Sequence, residues 1–151
     1  MKFSSQEEYG LRCLAAIARK GAGGSMTIPE LAQTEGLSQP HVGKLMSVLR
    51  AAGFVSSTRG QVGGYALTRK PNEMALGDIL NALGGKLYYD NFCERHSGVL
   101  ERCIHESDCN LRGMWGKVQD AVDSVVGQMT LQSLLEPPLI SRDSLVRGVE
   151  R

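Results

Sequence analysis

Three of the four cysteines lie close together in one stretch of the chain. Cys93, Cys103 and Cys109 follow a C-x9-C-x5-C spacing, with nine and then five residues between them. This spacing is wider than the closely paired cysteines of zinc ribbons and zinc fingers. Thiolates spread over a loop suit a larger object such as an iron–sulfur cluster, which is held by four ligands around its body. The sequence therefore indicates a sulfur-ligated metal centre that lacks one ligand.

The fourth ligand has to come from elsewhere in the chain or from a second copy of it. In the same loop, His96 and His105 offer ring nitrogens, and Glu106 and Asp108 offer carboxylate oxygens. A single histidine on a loop is more often only solvated, so its presence does not identify the ligand. The remaining cysteine, Cys13, falls on the apolar side of a helical pattern and is expected in the core, because unpaired cysteine is among the most buried residue types.

Length and composition limit the class of protein. The chain has 151 residues, of which 42% are hydrophobic, and this is enough for one compact domain with an extension. Its formal net charge is +1, so affinity for nucleic acid would depend on a local basic face. No stretch approaches the roughly 20 apolar residues of a membrane helix, and residues 1–8 are polar where a signal peptide would be apolar. We expect a cytoplasmic protein with no membrane partner, whose reduced cysteines serve metal or redox chemistry.

Two short helical patterns separated by a glycine-containing turn follow a first helix at about residues 6–19. Thr27-Ile-Pro-Glu opens one of them with a capping box, and Ser38 caps the next, which runs over about residues 39–52. Two helices joined by such a turn are the helix-turn-helix pattern. The second helix of this motif enters the major groove of DNA with its N-terminal residues. The residues predicted to contact DNA from this helix are Ser38, Gln39, His41 and Lys44.

A period-two pattern comes next, over residues 54–58 and 64–68, with a basic, glycine-rich loop between them. Two such segments predict a β-hairpin, the wing. An arginine at its tip, between small residues, can enter the narrow and negative minor groove. Glycines allow a backbone to approach sugar and phosphate closely, although a hairpin turn explains them equally well. The residues of the wing predicted to contact DNA are Arg59, Gly60, Gly63, Gly64 and Tyr65.

Apolar residues at helical spacing return at about residues 74–83 and again from Leu111 to about Leu135. The second stripe has too little of its own domain to bury against, and DNA readers with two half-sites use two-fold symmetric dimers. We therefore expect a homodimer, the alternative being a helix that folds back on its own domain. The predicted fold is mainly α with a small β-hairpin. Its parts are a winged helix-turn-helix DNA-binding domain at 1–85, a cysteine-bearing cluster-binding loop at 86–110, a dimerisation helix at 111–135 and a flexible tail at 136–151.

Three features together resemble a known family. They are the wing segment Arg59-Gly-Gln-Val-Gly-Gly-Tyr-Ala-Leu-Thr-Arg69, the opening Met1-Lys-Phe-Ser with Tyr9-Gly-Leu-Arg12, and a cysteine loop followed by a long helix. Over about residues 1–135 they resemble the IscR/NsrR-type iron–sulfur regulators. The resemblance implies a homodimeric winged-helix transcription factor, with a cluster between the loop of one subunit and the DNA-binding domain of the other. Three cysteines and one carboxylate are compatible with a [2Fe-2S] or a [4Fe-4S] centre.

The resemblance also bears on the fourth ligand. Family members with a histidine ligand carry it three positions after the last cysteine, where this chain has Arg112. Other members use a carboxylate near the start of the first helix, donated across the dimer, and the matching residue here is Glu8. Glu7 would face elsewhere on a helix. The resemblance thus implies a ligand set of Cys93, Cys103, Cys109 and Glu8; alternatively, Glu8 is a solvated acid that caps the helix N-terminus.

The predicted function is a sequence-specific regulator of transcription, expected to be a repressor, which binds a double-stranded DNA operator. An iron–sulfur cluster that senses iron, redox state or nitric oxide is expected to switch its DNA affinity. Two alternatives remain open: the same fold with zinc or redox-active thiols at the cysteines, and a cluster-bearing electron carrier without a DNA function. An enzyme is not expected, because no nucleophile is paired with a positioned base and no phosphate loop follows a strand.

Overall fold

The computed structural model describes residues 4–58, 63–89, 91–105 and 107–137. Within these ranges six α-helices and three short strands follow each other along the chain. They are α1 (Ser5–Ala18), β1 (Ser25–Met26), α2 (Ile28–Glu35), α3 (Gln39–Ala51), β2 (Val55–Thr58), β3 (Gly64–Leu67), α4 (Leu76–Leu83), α5 (Phe92–Arg95) and α6 (Asn110–Val126), with 3-10 turns at Pro71–Glu73 and Leu131–Leu134. None of the described helices is long and apolar enough to cross a membrane. The expected winged helix-turn-helix fold is confirmed.

Side-chain caps determine where the first three helices begin. Ser4 caps α1, and Thr27 caps α2 in a reciprocal capping box, in which the Thr27 N–H donates to the Glu30 carboxylate at 2.7 Å. Ser38 caps α3, with its hydroxyl oxygen accepting from the His41 N–H at 3.4 Å. Between α2 and α3 the chain turns at Gly36, whose φ of 67° is the left-handed conformation that favours glycine. The predicted helix-turn-helix therefore forms from the capping residues that the sequence provides.

One apolar core lies between the first four helices and the sheet. The inward side of α3 is buried in this core, because Val42, Leu45, Met46 and Leu49 are each at most 2% exposed. Helices α1, α2 and α4 contribute further buried side chains, which include Leu14, Ile17, Leu31 and Ile79. Truncating such buried side chains typically costs about 2–5 kcal/mol. The core therefore fixes the rotation of α3 and, with it, the residues that α3 presents to solvent.

The sheet has a strand that the sequence pattern did not predict. Its order is β1-β3-β2 and all pairs are antiparallel, so the wing hairpin of β2 and β3 is joined at its inner edge by the two residues of β1. Met26 pairs with Tyr65, and Thr58 pairs with Gly64. A two-residue strand is too short to produce a recognisable alternation, which explains why the prediction contained a hairpin only.

The predicted helix over residues 111–135 is wrong in its C-terminal part, since α6 ends at Val126. After Gly127 the chain turns back to the winged helix, where Thr130 forms a β-bridge with Ala75 and the Leu131 N–H donates to the Met74 carbonyl at 2.9 Å. Leu131 is completely buried in the core. These apolar residues happen to continue the helical spacing, but they are buried by their own domain rather than by a partner. The alternative, folding back, thus applies to the segment after α6.

Candidate nucleic-acid interface and cysteine loop

The N-terminal part of α3 presents polar side chains to solvent. Ser38, Gln39 and Lys44 are exposed, as expected for residues that contact a base edge or a phosphate. Further along the same side, Ser47 and Arg50 are exposed as well. The buried side of the helix is anchored in the core, so this exposed row lies on a rigid support. The geometry is that of a helix available for insertion into a groove.

His41 differs from the other predicted contact residues because it is half-buried. Its ring lies edge-on to the ring of Tyr9 on α1, with 5.4 Å between the ring centroids. The guanidinium of Arg12 lies 5.4 Å from the centre of the same Tyr9 ring. The Tyr9 ring therefore joins α1 to the N-terminal turn of α3. Sequence reasoning missed this contact, since Tyr9 appeared only as one apolar residue of the first helix.

The wing is described at its strands but not at its tip. Arg59 and Gly60 lie outside the described residues, whereas Gly63 is exposed. Gly64 is buried, and a Cβ at this position would lie 2.9 Å from the carbonyl carbon and oxygen of Met26. Its close approach is thus to the backbone of β1. Tyr65 is half-buried and packs against the core, so it supports the wing from behind.

The three loop cysteines are free and half-buried. Cys93 lies on the short helix α5, Cys103 lies in an irregular turn, and Cys109 precedes the first residue of α6. Thiols that form no disulfide are the donors that an iron–sulfur cluster requires. In the described part of the chain, however, no three histidine, cysteine or acidic side chains come close enough to hold a metal ion. The ligands thus fit the group in chemical type, and the loop would have to close further to form a cage.

The loop histidines are engaged in local contacts. The Nδ1 of His96 lies 2.8 Å from the carbonyl oxygen of Phe92, and its ring stacks on the Phe92 ring at 3.9 Å. His105 lies 3.9 Å from the Asp108 carboxylate on the loop surface. Neither histidine is aimed at a cysteine by these contacts. Glu106 lies outside the described residues.

Arg112 contacts the loop cysteines from the first turn of α6. A hydrogen bond to Cys93 raises the pKa of the Arg112 guanidinium, and the charge of Cys93 and the more distant Tyr88 and Cys109 act in the same direction. This is the position at which some members of the resembled family carry a histidine ligand. Arginine cannot serve as a ligand while it is protonated, but its N–H groups can donate hydrogen bonds to a sulfur.

Glu7 and Glu8 have separate surroundings, as the helical spacing predicted. Glu7 closes the capping box of α1, where its carboxylate accepts from the Ser4 N–H at 2.7 Å. Glu8 is exposed and lines an open cleft of about 260 Å³ next to Arg12 and Leu134. Ser4 and Glu7 together therefore cap α1, and Glu8 lies exposed beside this capping box.

Cys13 is completely buried on α1, as predicted. Burial raises the pKa of its thiol to about 11, with a smaller contribution from Glu35. A neutral thiol in the core is a poor nucleophile and a poor metal ligand. Cys13 is thus separated from the chemistry of the loop cysteines.

One side of α6 is apolar and exposed in the single chain. Leu111, Met114, Trp115 and Val125 are 62%, 45%, 40% and 63% exposed, and Val118 lies between them at helical spacing. Large apolar side chains grouped in this way on a surface mark an interaction site. The adjacent side of the helix, with Gln119 and Val126, packs on its own domain.

Comparisons with known proteins agree with this architecture. Residues 3–137 match the Rrf2 family, described as iron-dependent transcriptional regulators. The chain is 34% identical over 134 residues to the HTH-type transcriptional regulator CymR of Bacillus subtilis (89% of each chain), and 32% identical over 135 residues to protein rrf2 of Nitratidesulfovibrio vulgaris (89% of this chain, 87% of the relative).

Solved structures show the same similarity. The structure of CymR, the global cysteine regulator of B. subtilis, superposes with a TM-score of 0.71 at 33% identity; the match covers 89% of this chain and 96% of the other. The structure of T. potens IscR gives a TM-score of 0.71 at 28% identity and covers 97% of this chain and 96% of the other. These relatives are regulators and not enzymes, and the resemblance to IscR-type proteins is confirmed. The chain belongs to the Rrf2 family of DNA-binding transcriptional regulators.

Proposed function

We propose that this regulator is a homodimeric repressor whose affinity for its operator is switched by an iron–sulfur cluster that responds to iron, redox state or nitric oxide. The observation that carries the proposal is the set of three free, half-buried thiols on one loop, next to α6, which contacts both the start of that loop and α4 of the winged helix. IscR and NsrR are named among the relatives of the chain.

The cluster would be held by Cys93, Cys103 and Cys109, with Glu8 of a second copy as the fourth ligand. A cluster of this type supplies an oxidisable centre whose loss frees its protein ligands. The protein's own contribution is to present the thiolates and to keep Arg112 beside Cys93. The exposed position of Glu8 on α1 makes its carboxylate accessible to another subunit.

DNA is bound by the exposed residues of α3 and by the wing. Ser38 and the helix N-terminus suit a phosphate, Gln39 suits an adenine edge, and Lys44 suits a guanine or a phosphate. Arg59 and Gly60 of the predicted wing loop, together with Gly63, would contact the minor groove. Gly64 and Tyr65 act on DNA only by supporting this wing, because both pack towards their own domain.

The dimer is proposed to form through the exposed apolar side of α6. A helix with this much exposed apolar surface is stabilised when a second copy covers it, and two-fold symmetry places two α3 helices on successive turns of DNA. The division into a DNA-binding domain, a cysteine loop and a dimerisation helix follows from this arrangement.

The decisive experiment is anaerobic purification followed by an absorption spectrum, iron and sulfide analysis, and DNA binding with a duplex from upstream of its own gene. We expect coloured protein whose DNA affinity changes at least about tenfold when the cluster is removed, which corresponds to about 1.4 kcal/mol. Glu8→Ala should alter the spectrum, and Glu7→Ala is the matched control. Colourless protein, or equal affinity in both states, would overturn the proposal.

A second candidate is a regulator of the same fold that works with zinc or with bare redox-active thiols. It is favoured by the similarity to CymR, which is described as the global cysteine regulator of B. subtilis. The three half-buried thiols form no disulfide and are available for redox chemistry. Metal analysis separates the candidates, because zinc or metal-free protein has no visible absorption.

A further inference from the structure

The inner side of α6 contains a polar contact that neither DNA recognition nor the cysteine ligands explain. Gln119 is 7% exposed, and within the described part of the chain it is the one buried residue with a polar side chain. A buried amide without partners would cost about 1–3 kcal/mol, so its partners are informative. Nothing in the apolar pattern of the helix requires a glutamine at this position.

Both ends of the Gln119 amide hold neighbouring elements. Its Oε1 accepts from the Tyr88 N–H at 3.0 Å, and its Nε2 donates to Oδ1 of Asp123 at 2.7 Å. The other oxygen of Asp123 lies 3.9 Å from Nζ of Lys86. Lys86 and Tyr88 belong to the segment that leads from α4 into the cysteine loop. The four residues Lys86, Tyr88, Gln119 and Asp123 therefore clamp the start of that loop to α6, and we call them the loop clamp.

On α6, the residues of the loop clamp lie between a contact with Cys93 and a contact with the winged helix. Residues seven apart on an α-helix lie within about 20° of the same direction, so Arg112, Gln119 and Val126 share one face. Arg112 is hydrogen-bonded to Cys93. At the other end, a Cβ at Gly77 of α4 would lie 3.5 Å from Cγ2 of Val126, which is ordinary packing distance. One face of α6 thus contacts a cysteine, the start of the loop and the winged helix in succession.

A second route connects the clamp to Cys93 through aromatic rings. The Tyr88 ring lies 5.4 Å from the ring of Phe92, the residue before Cys93. A displacement of Cys93 consequently acts on the Tyr88 backbone both through Phe92 and through α6.

We propose that Gln119 is a positioning residue that couples the state of the cysteine loop to α4 and the winged helix. The coupling rests on the proposed function for its physiological meaning, because a cluster at the cysteines would be the natural cause of a change in the loop. Its physical content is independent of the cluster: part of any change imposed at the loop cysteines is transmitted to α4 through the hydrogen bond that Gln119 accepts from Tyr88, so losing this bond should weaken the transmission.

The test changes the loop by alkylating the full-length protein with iodoacetamide. Cys13 is completely buried and remains unmodified under native conditions, so the label reports on the loop cysteines. Hydrogen exchange of the α4 amides is then measured by mass spectrometry before and after alkylation. In the wild type we expect exchange in α4 to rise at least about threefold, because local stability reports such changes.

Three variants decide the result. Gln119→Met, of similar length but without an amide acceptor, should show a clearly smaller effect of alkylation on α4. Asp123→Asn keeps an oxygen that accepts from Gln119 Nε2, leaves the Tyr88 hydrogen bond in place and should retain the effect. Gln33→Met, the same substitution at an exposed site of α2, is the matched control. If Gln119→Met does not fold, Gln119→Asn replaces it, since its shorter amide cannot reach Tyr88.

The inference would be overturned if alkylation changed α4 hydrogen exchange equally in the wild type and in Gln119→Met. It would also be overturned if alkylation left α4 exchange unchanged in the wild type. The absorption spectrum of the untreated protein tests the cluster separately. Coupling in a colourless protein would therefore contradict the proposed function and support the role of Gln119. Coloured protein without coupling would do the reverse.

Discussion

Arg12 donates two hydrogen bonds to Glu35, from Nε to the carboxylate Oε2 at 2.8 Å and from Nη2 to the main-chain carbonyl oxygen at 2.7 Å. Glu35 is the last residue of α2, directly before the turn into α3. The Glu35 side chain is only 11% exposed, which reduces the screening of this pair by water. Through Arg12, α1 therefore holds the turn of the helix-turn-helix as well as the Tyr9 ring beside His41.

The first prediction concerns this contact. Arg12→Gln removes the charge and the paired geometry, so we expect a small decrease in melting temperature and a several-fold weaker binding of operator DNA. The reason is that the turn between α2 and α3 loses the contact that orients it relative to α1. Arg19→Gln, directly after the last residue of α1, is the control, since Arg19 is exposed. Equal DNA affinity of the two variants in a fluorescence anisotropy titration would contradict this role.

The second prediction concerns the packing of the wing on β1. Gly64→Ala would place a Cβ against the Met26 backbone at 2.9 Å, and strand backbones cannot separate without losing their pairing. Overpacking of this kind costs about 1–3 kcal/mol of unfolding free energy. The matched change is Gly113→Ala on α6, where no atom lies within 4 Å and alanine favours the helix by about 1 kcal/mol. Urea unfolding of both variants measures the difference.

The sequence was sufficient for those parts of the fold in which local chemistry and tertiary packing agree. The helix-turn-helix is predicted from Thr27, Gly36 and Ser38, and each of these residues has the expected cap or turn conformation. The end of α6 was mispredicted because Leu131 continues a helical spacing, whereas it is buried in the core of its own domain and its N–H donates to Met74, a residue distant in sequence.

For the candidate site, the sequence predicted which residues could act as ligands, but not how these residues lie relative to one another. The spacing of the cysteines identified the thiols, but a loop without a core of its own takes its conformation from what it binds. Gln119 and the partner of Arg12 were missed for a different reason. A single polar residue on an amphipathic helix has no periodic signal, and only its neighbours in space reveal its role.

The third prediction concerns pH. The pKa of Cys13 is raised in the folded state from its ordinary 9.0 to about 11, because burial disfavours the thiolate. Folding thus favours the protonated thiol, and the contribution of Cys13 to stability is complete below about pH 9 and is lost as the pH rises towards about 11. Cys13→Ala should reduce the fall of unfolding free energy in this interval, although alanine lowers stability at neutral pH. Parallel curves for wild type and variant between these pH values would refute the assignment.

The last prediction concerns the apolar side of α6. Val125 is 63% exposed in the single chain, so Val125→Lys should leave the fold of one subunit intact. In the proposed dimer the same lysine would be buried without a partner, which costs several kcal/mol because a charge must leave water. The dimer dissociation constant should therefore rise at least about tenfold, for which about 1.4 kcal/mol is enough. Ser124→Lys is the matched control, because Ser124 is exposed and points away from Val118 and the other apolar residues. Sedimentation velocity over a range of concentrations measures both constants, and an unchanged dimer in Val125→Lys would place the interface elsewhere on the protein.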